Sequence, residues 1–191
     1  MDEQAKEIIP FFQFILQLKC VKRSGWASKV KISNPESVAD HTYSMCAMSM
    51  VLSDMLGLDT ERIMKMVLLH DLVESVTGDY LPEEISKKQK RKEEDKVMKS
   101  ILCNIPSNVR SHYKKIWKEY ILNKTEIAHF VHRTDKLEMA LQAKRYAKEY
   151  TKDNGHSNDS FNQFFDSANE CIRLNKPDLI TNILKNVIST L

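Results

Sequence analysis

Apolar residues recur along the chain at intervals of three and four, and almost no window alternates with period two, a pattern that predicts an all-α protein. Ile8, Ile9, Phe11, Phe12, Ile15, Leu16 and Leu18 give a first helix its apolar stripe, with Pro10 either tolerated in an early turn or marking a break. Lys22 to Pro35 is basic and contains Gly25 and Asn34-Pro35, so it reads as a loop of the kind that carries ligand contacts across a bundle. Ser37 then stands as an N-cap with Asp40 in the reciprocal position, and a second helix runs through Met45, Met48, Val51, Leu52 and Met55 to Gly57. A third helix, capped by Asp59 or Thr60, carries His70, Asp71 and Glu74 until Gly78 breaks it. Pro82 opens a segment dense in both charges, which suits either a solvated face or a mobile, anion-attracting edge over a site. Pro106 to Leu122 turns Tyr113, Ile116, Trp117 and Tyr120 inward, and Thr125 to about Tyr150 forms a long helix. After a polar turn over 153–159, Phe161 and Pro177 begin two last helices, whose exposed apolar residues would supply a face for self-association.

One stretch conflicts with its own pattern. Val67, Leu68, Leu69, Leu72 and Val73 form a core-facing run, yet His70 and Asp71 stand inside it. An imidazole and a carboxylate buried without partners would cost several kcal/mol, so they must be hydrogen-bonded, ion-paired or bound to a cation. A His-Asp pair that satisfies itself is the plain alternative. His41 near the start of the second helix and Asp135 inside the long helix are further polar residues on apolar faces. Four helix-borne side chains, His41, His70, Asp71 and Asp135, can therefore meet in a bundle core around one metal, the usual construction of such sites. Two imidazoles and two carboxylates suit Mn, Fe, Co, Zn or Ni better than a thiolate-seeking ion.

Composition narrows the class. A chain of 191 residues with 42% hydrophobic and 29% charged content is expected to form one globular domain over 1–191, its metal-binding core about 36–140 and the helices of about 160–191 packed on it. A net charge of +3 is too small to argue for a nucleic acid polymer. No apolar run approaches the roughly 20 residues that span a bilayer, and no secretory leader is evident, so a cytoplasmic protein without a membrane partner is expected. Cys20, Cys46, Cys103 and Cys171 form no CxxC and read as reduced thiols.

The segments Glu36-Ser37-Val38-Ala39-Asp40-His41, Leu68-Leu69-His70-Asp71-Leu72-Val73-Glu74 and Gly78-Asp79 together resemble the HD-domain metal-dependent phosphohydrolases. Within them the chain is most similar to the 5′-deoxynucleotidase group, whose Arg-x-Gly-Trp element is matched by Arg23-Ser24-Gly25-Trp26 and whose last ligand helix is matched by Thr134-Asp135-Lys136-Leu137-Glu138. The resemblance spans roughly residues 10 to 170. It implies an HD-type helical bundle with one divalent cation, Mn, Co, Fe, Mg or Zn, held by His41, His70, Asp71 and Asp135. It implies further that Glu74 and Asp79 serve catalysis, that Arg23, Trp26 and Asp79 meet the substrate, and that the protein is a homodimer. The implied reaction removes phosphate from deoxynucleoside 5′-monophosphates. Tyr80 departs from the aliphatic residue usual after Gly-Asp, and the charged segment after Pro82 has no residue-by-residue match.

Phosphate monoester chemistry asks for these side chains. The substrate is a dianion that repels hydroxide, so its charge must be offset and a nucleophile generated at neutral pH. Glu74 would orient or deprotonate the water, Asp79 would position it or assist the leaving group, and Arg23 would match the equatorial oxygens. Trp26 would pack against sugar or base, or simply close the core. His129 and His132 are weaker ligand candidates; His112 and His156 lie in surface-like contexts; Glu36, Lys29 and Lys31 read either as substrate-side or as solvated; and the methionines are core filler. Two rivals remain: an HD hydrolase acting on a nucleoside triphosphate or cyclic nucleotide, and a non-catalytic metal- or nucleotide-binding protein.

Overall fold

The computed structural model describes residues 2–81, 83, 85–153, 158–174 and 178–189, and their regular elements are all helical apart from one isolated bridge between Lys22 and Ser37. In chain order these are α1 (Asp2–Gln17), α2 (Ser24–Lys29), α3 (Val38–Leu56), α4 (Thr60–His70), α5 (Glu74–Thr77), α6 (Lys87–Leu102), α7 (Ser107–Leu122), α8 (Glu126–Asp153), a short 3-10 turn (Asn158–Phe161), α9 (Asn162–Leu174) and α10 (Leu179–Ser189). The all-α expectation holds. The long α8 is the axis, packed by α3, α4, α7, α9 and α10. Phe130, Val131 and Leu137 of α8 join Met45, Ile63 and Met66 in the main core, and Ala143 and Tyr146 join Trp26, Ile32, Phe161 and Phe164 in a second. Complete burial of such side chains contributes roughly 1.5–3 kcal/mol each, which is what holds this helix in place.

Local chemistry explains the helix boundaries that matter for the site. Ser37 Oγ accepts from Asp40 N at 3.2 Å and Asp40 Oδ2 accepts from Ser37 N at 2.8 Å, a complete capping box that fixes the start of α3 and so the position of His41. Asp59, rather than Thr60, caps α4, its Oδ1 accepting from Arg62 N at 3.0 Å. The end of α4 departs from the sequence pattern. His70 Nδ1 donates to Val67 O at 2.6 Å, the carbonyl that the Asp71 N–H would use in a continuing helix, and the Asp71 N–H turns to Leu69 O instead. The chain therefore leaves the helix at Asp71, and Glu74 opens α5 rather than continuing α4.

Other differences are local. The stretch read as a loop contains α2, which begins directly after Arg23. The charged helix begins at Lys87, with Ser86 Oγ accepting from Gln89 N; Pro82 lies outside the described residues, as do 154–157 of the polar turn, including His156, and Pro177. The last helices bury their apolar faces, Phe164, Phe165 and Ala168 on α9 and Ile180, Leu184 and Val187 on α10. Leu174 at the end of α9 is exposed, but most exposed apolar surface lies on α1, at Ile9, Phe12, Ile15 and Leu16, and on α3, at Tyr43, Met50, Val51 and Met55. Met45 and Met66 are core residues as expected, whereas Met50 and Met55 are not.

Candidate metal centre and substrate cavity

His41 from α3 and His70 from the end of α4 are both buried, and neither Nε2 has a hydrogen-bond partner among the described residues. Each ring is anchored through its other nitrogen, His41 Nδ1 to Glu138 Oε2 at 2.6 Å and His70 Nδ1 to Val67 O at 2.6 Å. Both Nε2 atoms are thereby left as free acceptors, the form in which imidazole binds a cation. They face carboxylates: His70 Nε2 lies 3.0 Å from Asp71 Oδ2, and His41 Nε2 lies 3.8 Å from that oxygen and 3.5 Å from Asp135 Oδ1. Ligands that each stand about 2.1 Å from one cation are roughly 3.0–3.4 Å from one another, and His41, His70 and Asp71 come together within such a range, whereas Asp135 approaches only His41 and stands outside that group of three. The break after His70 is what brings Asp71 to the same point as His70.

Around this group the charges are strongly coupled. Burial pushes the Asp71 carboxyl up, but His70 and Arg23 more than reverse that and hold it well below the usual carboxylate range. Burial would likewise lower the Arg23 guanidinium, but Asp71, Asp79, Asp135 and Glu74 raise it. Arg23, at the N-cap of α2, reaches Asp71 Oδ2 at 3.5 Å. Glu74 is 5% exposed with an unpartnered Oε2, and burial, Asp71 and Asp79 drive its carboxyl well above the ordinary value. A cation beside Asp71 would draw it down again. Asp79 is also raised by burial, although Arg23 and the Ser24 N–H oppose the shift; Ser24 N donates to its Oδ2 at 2.7 Å and Ser24 Oγ to its carbonyl at 2.6 Å. Those two bonds fasten the turn after Gly78 to the start of α2, which places Arg23 and Asp79 side by side.

Arg23, His70, Asp71, Glu74, Asp79 and Asp135 line one cavity of about 850 Å³, together with Trp26, Tyr80, Tyr120, His132, Met139 and Phe164, while His41, Glu138 and Ser24 stand behind its wall. Trp26 reaches that wall only as part of the second core. It is 2% exposed, stacks on Phe164 at 4.1 Å and spends its Nε1–H on Glu36 Oε1 at 2.9 Å. Glu36 thus supports Trp26 and does not line the cavity.

Residues 15–176 match the HD-domain family model. The chain belongs to the HD-domain family. Within it the chain falls in the 5′-deoxynucleotidase group. It is 33% identical over 177 residues to human 5′-deoxynucleotidase HDDC2, covering 92% of this chain and 82% of that one. It is 36% identical over 148 residues to 5′-deoxynucleotidase hdd1 of Schizosaccharomyces pombe, covering 75% and 74%. Among solved structures it is similar to the PH0347 protein of Pyrococcus horikoshii, with a TM-score of 0.73, 27% identity and coverage of 95% and 96%. A predicted metal-dependent phosphohydrolase from Magnetospirillum magnetotacticum shares the fold at a TM-score of 0.71 and 20% identity, over 98% and 92% of the two chains.

The HD motif accounts for the pair at 70 and 71, and of the two readings of the charged segment the edge over a site agrees with the cavity wall. Lys88, Lys90, Arg91 and Glu94 show that α6 borders the cavity rather than forming only a solvated face. Trp117 Nε1 donates to Asp95 Oδ1 at 3.0 Å and holds that helix against α7. Glu138, which orients His41, gave no signal beyond an acidic residue on an apolar face. His129 and His132 do not join the metal group; their Nε2 atoms donate to the carbonyls of Asn123 and Tyr120. Lys29 borders the cavity but is paired with Glu83.

Proposed function

We propose that this HD-domain protein is a metal-dependent 5′-deoxynucleotidase, which hydrolyses deoxynucleoside 5′-monophosphates to nucleoside and inorganic phosphate. The observation that carries the reading is the pair of buried, unpartnered Nε2 atoms of His41 and His70 facing Asp71 and Asp135 beside Arg23. The names of the relatives supply the substrate class. His41, His70, Asp71 and Asp135 would hold one divalent cation, which when bound supplies polarisation of a phosphate oxygen and acidification of a water.

The chain's own groups divide the remaining work. Arg23 presents a fixed guanidinium to the equatorial phosphoryl oxygens, and its pairing with Asp71 keeps the fork aimed at the cavity. Glu74, with its free Oε2, accepts a hydrogen bond from the attacking water and takes its proton as the oxygen bonds to phosphorus. The bond from phosphorus to the 5′-oxygen breaks, and Asp79, raised in pKa and held by Ser24, returns a proton to that oxygen. Trp26 and Phe164 give the sugar side an apolar wall.

The test is phosphate release from deoxy- and ribonucleoside 5′-monophosphates, 3′-monophosphates and triphosphates on stripped protein with Mn, Co, Fe, Mg or Zn restored one at a time. Cation-dependent release confined to the 5′-deoxymonophosphates is the expected result. Release from triphosphates alone would overturn it, and silence with cation bound would favour a binding role. Four free cysteines support a cytoplasmic setting. The exposed apolar residues of α1 and α3 support a homodimer, which sedimentation would test.

A further inference from the structure

Tyr120, in the last turn of α7, lines the cavity beside the candidate metal group yet has no place in the reaction as described above. Its ring is held by His132, His70 and Trp117. It lies flat on His132, with centroids 4.2 Å apart and planes 11° apart, and stands edge-on to His70 at 5.9 Å. His132 Nε2 donates to its carbonyl at 3.1 Å, which locks the stacked pair. Phenylalanine would serve this packing equally well.

The hydroxyl therefore needs its own explanation. It makes no hydrogen bond to any described residue, although the ring is half-buried, and it is not sealed from solvent. A hydroxyl on the cavity wall that is spent on no protein group is open to a partner that arrives with the ligand. Asp71, Asp135, Glu94 and Glu74 are the charged groups that it senses, and ionised carboxylates only accept hydrogen bonds. They repel a phosphate dianion, and the cationic donors opposing them come from Arg23 on the α2 side and from Lys88, Lys90 and Arg91 on α6. A phenol on α7 is a neutral donor facing the same space, so it offers the phosphoryl group a hydrogen bond without adding charge beside the candidate ligands.

We propose that Tyr120 is a further catalytic residue, whose hydroxyl donates a hydrogen bond to a non-bridging oxygen of the 5′-phosphoryl group as charge builds there. The assignment rests on the deoxynucleotidase reading. Tyr120→Phe keeps the ring, the stack and the candidate ligands, and removes only the donor. With cation present, kcat/KM is expected to fall roughly 10- to 100-fold and inhibition by inorganic phosphate to weaken about 10-fold, the loss of one hydrogen bond to a charged group. Cation affinity and thermal midpoint are expected to stay at wild-type values, which a merely structural role would not predict. A wild type that releases no phosphate overturns the deoxynucleotidase reading. An active wild type with a Tyr120→Phe variant equal to it in kcat and in phosphate inhibition overturns this assignment alone. Should the variant fail to fold, wild-type protein carrying 13Cζ-tyrosine gives a second measurement. One of the six tyrosine signals should move when phosphate is added to the cation-loaded protein, and an unmoved set overturns the assignment.

Discussion

His41 and Glu138 are 97 residues apart in the chain and 2.6 Å apart in the fold, both buried, with the imidazole Nδ1–H donating to the carboxylate Oε2. The bond fixes the tautomer that leaves Nε2 free towards Asp71 and Asp135. Glu138→Ala should therefore weaken cation binding about 10- to 100-fold, and Glu138→Gln, which keeps an acceptor, should weaken it less. Competition titration against a chromophoric chelator measures both. Equal affinity in the alanine variant would show that His41 is oriented without Glu138.

Removing the cation should loosen the fold, because His41 Nε2 and His70 Nε2 are then left only with carboxylates that are themselves deprived of their charge partner. A cation at about 100 times its dissociation constant stabilises the native state by about 2.7 kcal/mol, so stripped protein should melt several degrees earlier and recover on reloading. A thermal midpoint indifferent to stripping would place the ion elsewhere.

Glu74→Gln should lower kcat by roughly two to four orders of magnitude with the cation still bound, since an amide cannot take a proton from water. Asp79→Asn should cost less if its task is to return the proton to a leaving group that the solvent can also serve. Rates at saturating substrate, paired with metal analysis of each variant, decide the matter; an unchanged kcat in Glu74→Gln refutes the base assignment.

Asp178 ties α10 to α8, capping Thr181 N at 2.9 Å and pairing with Arg133. Burial pushes its carboxyl up, but the bonds to Thr181 and Arg133 reverse this and leave it below the ordinary value. A depressed carboxyl contributes stability that is fully present above its unfolded pKa, about 3.9, and is lost as pH falls through the folded value. Asparagine keeps the cap and loses only the charge paired with Arg133, so the stability gap between wild type and Asp178→Asn should be about 0.2–1 kcal/mol at pH 7, hold to about pH 5 and close below about pH 4. Urea midpoints across that range test it; a gap that widens in acid contradicts it.

Trp26→Ala should cost roughly 3–5 kcal/mol, because the indole fills the second core against Phe164 and Tyr146. Trp26→Phe should recover most of that loss while leaving Glu36 without its indole donor. Chemical denaturation of the two variants distinguishes packing from hydrogen bonding.

The helices were legible because spacing alone places Ile63, Met66, Phe130, Val131 and Leu137 on buried faces. His41, His70 and Asp71, which the fold gathers, stood out because a polar residue on such a face has few excuses. Glu138 and Tyr120 were hidden because their partners, His41, His132 and His70, come from other elements or from different turns of the chain, and no local pattern pairs them. The helix α2 was hidden because Ser24-Gly25-Trp26-Ala27-Ser28-Lys29 is too short to show a period; it is closed by the tertiary bonds from Ser24 to Asp79 and from Trp26 to Glu36.

The bond from His70 to the carbonyl of Val67 makes this histidine the terminator of its own helix. Deleting its side chain frees that carbonyl for the Asp71 amide and removes the obstacle to another helical turn, which would swing Asp71 away from its neighbours. Two adjacent residues of the motif are in this sense one mechanical part. Alanine at position 70 is then a double lesion, and the small increment left for a further change at 71 would measure how completely the imidazole dictates where the carboxylate stands.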